Sequence, residues 1–231
     1  MKQTITPPEG SAVPSNGMQE KADALLAFLI KNQAMLIAVS IVIVLAGGAV
    51  FYIQQQQRAK AAEGSRLAAE AAALVESGNL QQAIDGNDLT PGLNRIATEY
   101  RGTPGGNLAA LMLGESLLSL DEPEKAEAVY SSMKGINNDL KAAAEAGQAR
   151  ALEQQGKTAD AARALEKAGN TARNKALRAI YLADAAELYL AAGEPAKAAE
   201  LTETLGTSHE GYSGAAKARQ LELRIAALPQ K

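Results

Sequence analysis

The sequence predicts an all-α protein: one N-terminal transmembrane helix followed by an array of helical hairpins. Three observations carry this. Residues 34–53 run without a single charge. From Arg58 onward, alanine-rich segments with a 3.6-residue period alternate with Gly, Asn, Asp and Pro breaks, and no alternating run of β-branched residues occurs. Three stretches, 120–133, 155–168 and 192–205, align with one another.

Composition supports the helical class. Alanine occupies 49 of the 231 positions, and aromatic residues make only 3%. Small side chains favour closely packed helices, whereas strands favour the aromatic and β-branched residues scarce here. A net charge of −3 gives no broad basic surface, so nucleic acid is not an expected partner. The absence of Cys removes disulfides, thiolate metal sites and thiol catalysis. With His209 the only histidine, a His-pair metal site is excluded.

Residues 1–17 (MKQTITPPEGSAVPSNG) hold too little apolar surface for a core and read as a disordered tail. Residues 18–33 read as a short amphipathic juxtamembrane helix, with Leu25, Leu26, Phe28 and Leu29 set among Glu20, Lys21, Asp23 and Lys31.

Residues 34–53 (AMLIAVSIVIVLAGGAVFYI) match the length of a membrane span, about 30 Å of helix. Phe51 and Tyr52 fall at one end, where aromatic rings favour the interface. A cleaved signal peptide would have a shorter apolar region and a small-residue cleavage site after it; here Phe-Tyr-Ile and Gln54–Gln57 follow. The expectation is an uncleaved single-pass anchor. Lys21 and Lys31 on one flank balance Arg58, Lys60 and Arg66 on the other, so the charges do not set its orientation.

Residues 58–231 read as the hairpin array, about four hairpins and a terminal helix. The aligned stretches share an alanine at one offset: Ala126, Ala161 and Ala198. Four residues later come Tyr130, Leu165 and Thr202. The preceding helices align Gly114, Ala149 and Ala186 as small residues, with Leu117, Leu152 and Tyr189 as large ones. A small residue lets paired helices approach, and the alanine of the second helix faces it. Spacings of 35 and 37 between the aligned alanines lie near the 34-residue tetratricopeptide (TPR) period.

These segments resemble TPR motifs, GKTADAARALEKA (156–168) most closely, although the consensus Trp and closing Pro are absent. The whole layout is similar to a bacterial family, the single-span inner-membrane TPR proteins of the YfgM-like type, ancillary to the Sec translocon. FLIKN (28–32) and GLNRIATEYRGTPGGNLAALMLGESLL (92–118) carry most of that resemblance. It implies an inner-membrane protein with a cytoplasmic N-terminus and periplasmic repeats. The implied partners are the translocon, periplasmic chaperones or other envelope proteins. An envelope-assembly or division scaffold is the alternative function.

No enzyme, cofactor or small-molecule substrate is expected. Walker and Rossmann glycine patterns are absent, and the Gly102–Gly106 run has no preceding strand and no P-loop lysine. His209, between Ser208 and Glu210, reads as a loop residue. In a TPR array the first helices line the concave side. The resemblance therefore assigns to a binding face Leu108, Leu111, Glu115 and Leu118, then Ala143, Ala146, Arg150 and Glu153, then Ile180, Ala183, Glu187 and Leu190. Two occupants are open: an amphipathic partner segment, or the chain's own C-terminal helix bearing Leu221, Leu223, Ile225 and Leu228.

Overall fold

The computed structural model describes residues 16–134, 136–208 and 211–228. The predicted tail over residues 1–15 and the loop residue His209 lie outside the described residues. Eleven helices and no strand occur among the described residues. The chain divides into two units, residues 1–56 and 57–231.

The first unit holds α1 (Asn16–Lys31) and the apolar part of α2 (Gln33–Glu76). Asn16 and Gly17, read above as tail, belong to α1. The most apolar stretch of α2 has a mean hydropathy of 2.7 and no buried residue, so α2 is long and apolar enough to cross a membrane. Within that stretch the Ser40 hydroxyl donates to the Leu36 carbonyl at 2.8 Å, satisfying the polar group inside the helix. Gln54–Gln57 end the apolar run but not the helix, because glutamine is a good helix former.

The second unit starts from the C-terminal part of α2, which buries Leu67, Ala68 and Ala71. It continues through α3 (Leu80–Asp85), α4 (Leu93–Glu99), α5 (Pro104–Ser119), α6 (Pro123–Ser132) and α7 (Asn138–Gln154). The last helices are α8 (Thr158–Thr171), α9 (Lys175–Ala191), α10 (Pro195–Ser208) and α11 (Ser213–Ala226). Short turns pair α5 with α6, α7 with α8, and α9 with α10, and each pair packs on the next.

The turns are alike to the hydrogen bond. Asp121, Gly156 and Gly193 sit at φ 60°, 77° and 77°, in the left-handed region. The following N–H groups, of Glu122, Lys157 and Glu194, donate to Leu117 O, Leu152 O and Tyr189 O at 2.9, 2.9 and 2.8 Å. This closure satisfies the last carbonyls of the first helix and starts the second. The aligned alanines Ala126, Ala161 and Ala198 are all fully buried, and so are Ala149 and Ala186.

A fourth copy precedes these three. Gly78 has φ 77°, and Asn79 N–H donates to Leu74 O at 3.0 Å. Ala71 and Ala83 occupy the two small positions at the same offsets and are fully buried. The second helix of this copy, α3, stops after six residues, and α4 then packs on α5. The extra segment stretches the spacing to the next copy, which hides this hairpin from a period search.

First helices begin with side-chain caps. Thr103 Oγ1 accepts from Gly106 N–H at 3.1 Å, Asn137 Oδ1 from Leu140 N–H at 2.9 Å, and Asn174 Oδ1 from Ala176 N–H at 2.9 Å. Each cap contributes about 1 kcal/mol by holding an otherwise unpartnered N–H. Two apolar clusters form the core. One joins α2 to α7 around Leu93, Ile96, Leu113 and Tyr130; the other joins α7 to α11 around Leu182, Tyr189, Leu205 and Leu221.

Candidate functional site

A groove of about 510 Å³ opens where α5, α7 and α9 run side by side. Its apolar lining comes from Leu111, Ala143, Ala146, Leu165, Tyr181 and Leu188. Glu115, Arg150, Glu153, Asp184 and Lys217 add the charges.

Alanines make the floor because the helices beneath approach closely. Tyr130 of α6 lies under α5 and α7, almost fully buried. A Cβ built on Gly114 would stand 2.3 Å from Tyr130 Cζ, and one on Gly147 would stand 2.5 Å from it. The ring therefore occupies the space that two side chains would have taken. Its hydroxyl donates to Glu115 Oε1 at 2.8 Å. Burial, and next that hydrogen bond, push the Tyr130 phenol well above the ordinary tyrosine range, so it stays a donor.

Glu115 in turn holds Arg150. Arg150 Nη1 donates to Glu115 Oε2 at 2.7 Å, and Nη2 closes a second contact to Oε1. The fork geometry fixes α7 against α5. Both side chains are about half exposed, so the pair orients more than it stabilises. Next to it, Gln154 Nε2 donates to Asp121 Oδ1 at 2.8 Å and to Leu118 O at 3.2 Å. Tyr181 faces the groove from α9; burial raises its pKa, and Arg150 partly offsets this.

The far wall is tied by Lys217 of α11, which reaches Asp184 at 2.6 Å and Glu187 at 2.5 Å. The Lys217 hydrogen bond lowers the pKa of Glu187 despite some burial, with Arg224 helping at 3.6 Å. Burial alone would lower Lys217; the two carboxylates outweigh it and raise its pKa. Glu153 is exposed at the rim and takes part in none of these pairs.

The structure brings together Leu111, Glu115, Ala143, Ala146, Arg150 and Glu153 as the sequence places them. On α9 the face differs by about one residue. Tyr181, Asp184 and Leu188 line the groove, whereas Ala183 is buried in the core and Leu190 packs against it. Ile180 is exposed outside the lining, and Glu187 is engaged by α11. Leu108 is exposed outside the lining, and Leu118 packs against the core. Tyr181, Asp184 and Lys217 were not legible as groove residues. On an alanine-rich helix every face is similarly apolar, so periodicity sets its rotation poorly.

The groove is open along α5 and α7. Helix α11 packs on α9 and α10, burying Ala215, Ala218 and Leu221 there. Leu223 and Leu228 remain exposed. Of the two occupants left open by the sequence, the chain's own C-terminal helix thus ends the stack instead of filling the groove.

A larger hollow of about 600 Å³ lies among α8, α9 and α10. In its lining Lys197 pairs with Glu194 and lies 4.8 Å from the Tyr189 ring centre, and Tyr189 donates to Glu166 at 2.6 Å. The smaller groove has the more apolar lining, which favours it as the binding surface. No three His, Cys, Asp or Glu side chains converge as metal ligands among the described residues. No protein-family model matches the chain, and no curated protein or solved structure matches it.

Proposed function

We propose that this protein is a membrane-anchored, non-enzymatic interaction scaffold whose TPR-like hairpins hold a segment of another envelope protein in the α5–α7–α9 groove. The observation that carries the reading is the open, alanine-floored groove with α11 docked beside it. Apolar surface left open on a packed domain marks an interaction site. The four turns with identical hydrogen bonding support the TPR-like reading of the array. The sequence resemblance to YfgM-like proteins supports the translocon and its periplasmic chaperones as partners. On that resemblance, residues 34–53 anchor the chain in the inner membrane and the hairpins face the periplasm.

The test is photo-crosslinking in intact membranes, with a photoreactive residue at Ala143 on the groove floor and at Lys125 on the outer side. Adducts to translocon or chaperone subunits from position 143 alone support the reading. Equal adducts from both positions, or none from 143, overturn it. Protease added to spheroplasts should digest the hairpins; full protection with an intact inner membrane would reverse the proposed orientation.

A further inference from the structure

Helix α1 carries an apolar stripe that no described residue of the first unit covers. Leu25, Leu26 and Leu29 are 60%, 54% and 39% exposed. With Ala22 they follow an i, i+3, i+4, i+7 pattern, and so share one face of the helix. The opposite face carries Ala24, Ala27 and Lys31. We propose that this stripe lies in the headgroup layer of the same bilayer that α2 crosses, with the Ala24–Ala27–Lys31 face turned to water. The proposal rests on reading α2 as a membrane span.

Continuity argues for lipid as the occupant. Only Asn32 separates α1 from α2. The backbone ladder crosses it, with Asn32 N–H donating to Phe28 O at 3.0 Å and Leu36 N–H to Asn32 O at 2.9 Å. No loose chain exists there to carry α1 away from a membrane that takes α2. Lys31 can lay its methylenes along the apolar layer and keep its ammonium in water. The charges of Glu20, Lys21, Asp23 and Lys31 balance, so apolar contact and not attraction to anionic lipid holds the stripe.

The chain has no cysteine, so single-cysteine variants of the full-length protein report one position each. Leu26→Cys, Leu29→Cys, Ala24→Cys, Ala27→Cys and the mid-span Val42→Cys are labelled with an environment-sensitive fluorophore. They are reconstituted in phosphatidylethanolamine–phosphatidylglycerol vesicles. Labels at 26 and 29 should be blue-shifted, quenched by headgroup-nitroxide lipid and shielded from aqueous iodide. Labels at 24 and 27 should be quenched by iodide. Equal iodide quenching at all four positions overturns the proposal, since α1 would then be a solvated helix. Shielding of 26 and 29 from both quenchers also overturns it, in favour of a second copy or another protein. Equal lipid quenching of all four overturns it too, since α1 would then be part of the span with no face turned to water. Failure of a chain-attached nitroxide to quench position 42 overturns the reading of α2 itself, and so separates the two ideas.

Discussion

Tyr130 and Gly147 are packed so closely that a Cβ on Gly147 would stand 2.5 Å from the Tyr130 Cζ. No rotamer of a buried ring relieves that overlap, because Gly114 of α5 bounds the ring as closely from another helix. The same ring, through its hydroxyl, positions Glu115 for Arg150. One aromatic residue therefore sets both the spacing of α5 and α7 and the charge pair at the groove rim.

Gly147→Ala should destabilise the domain by about 1–3 kcal/mol, the usual cost of overpacking, although alanine is the better helix former. Thermal melting of the detergent-solubilised protein reads it. The double variant with Tyr130→Leu should recover part of the loss relative to Tyr130→Leu alone. A single variant that melts higher than wild type would mean that the ring moves freely.

Ala161 is fully buried where α8 meets its neighbours. Ala161→Leu should lower the melting temperature by the same mechanism, by about 1–3 kcal/mol. An unchanged melting point would show spare volume at the site and would invalidate the register shared with Ala126 and Ala198.

Asp121 holds at φ 60° the conformation that glycine supplies in the equivalent turns. Asp121→Gly should be neutral or slightly stabilising, because relief of the left-handed strain offsets the loss of the Gln154 hydrogen bond. Gly156→Ala should cost about 1 kcal/mol, since an L side chain is strained there. Chemical denaturation of the two variants compares them, and equal midpoints would contradict the account.

Glu145 of α7 is 3% exposed. Lys167 Nζ stands 3.1 Å from its Oε1, yet neither carboxylate oxygen has a well-oriented hydrogen bond. A buried polar group without a partner costs free energy. Glu145→Leu should therefore leave stability unchanged or raise it. Lys167→Ala should lower it by about 1 kcal/mol, because the buried carboxylate loses its nearest charge. Denaturation midpoints that fall for Glu145→Leu and stay fixed for Lys167→Ala would reverse this assignment.

Glu187 ties α9 to α11, and its pKa is lowered in the folded state by the Lys217 hydrogen bond. A carboxylate with a depressed folded pKa contributes stability above its unfolded value, about 4.3, and loses it as pH falls through the folded pKa. The docking of α11 should be constant from neutral pH to about pH 5 and weaken below about pH 4. Half exposure keeps the effect small, below about 1 kcal/mol. Hydrogen exchange of α11 amides against pH measures it, and Glu187→Gln should remove the acid-dependent part.

The groove and the hairpin turns were legible to different degrees. Asp121, Gly156 and Gly193 stand out because a left-handed residue is needed where one helix stops, and the chemistry of that position is local. The buried alanines follow at fixed offsets, so Ala126, Ala161 and Ala198 could be read directly. The hairpin built on Ala71, Gly78 and Ala83 has the same local marks, but α3 is cut short and α4 is inserted after it, so its spacing disguised it.

The sequence by itself determined what depends on neighbours along the chain: the uncharged span of α2, the caps at Thr103, Asn137 and Asn174, and the turn at each hairpin. Tertiary structure alone decided which face of α9 meets the groove and where α11 comes to rest. Ile180 and Tyr181 differ by one step of a 17-residue helix in which alanine and leucine fill ten positions spread around its sides. With so small a difference between faces, the rotation is set by Lys217 reaching Asp184 and Glu187, and by Ala218 and Leu221 burying against the last hairpin. Lys217 and Asp184 stand 33 residues apart, and no local pattern records such a contact.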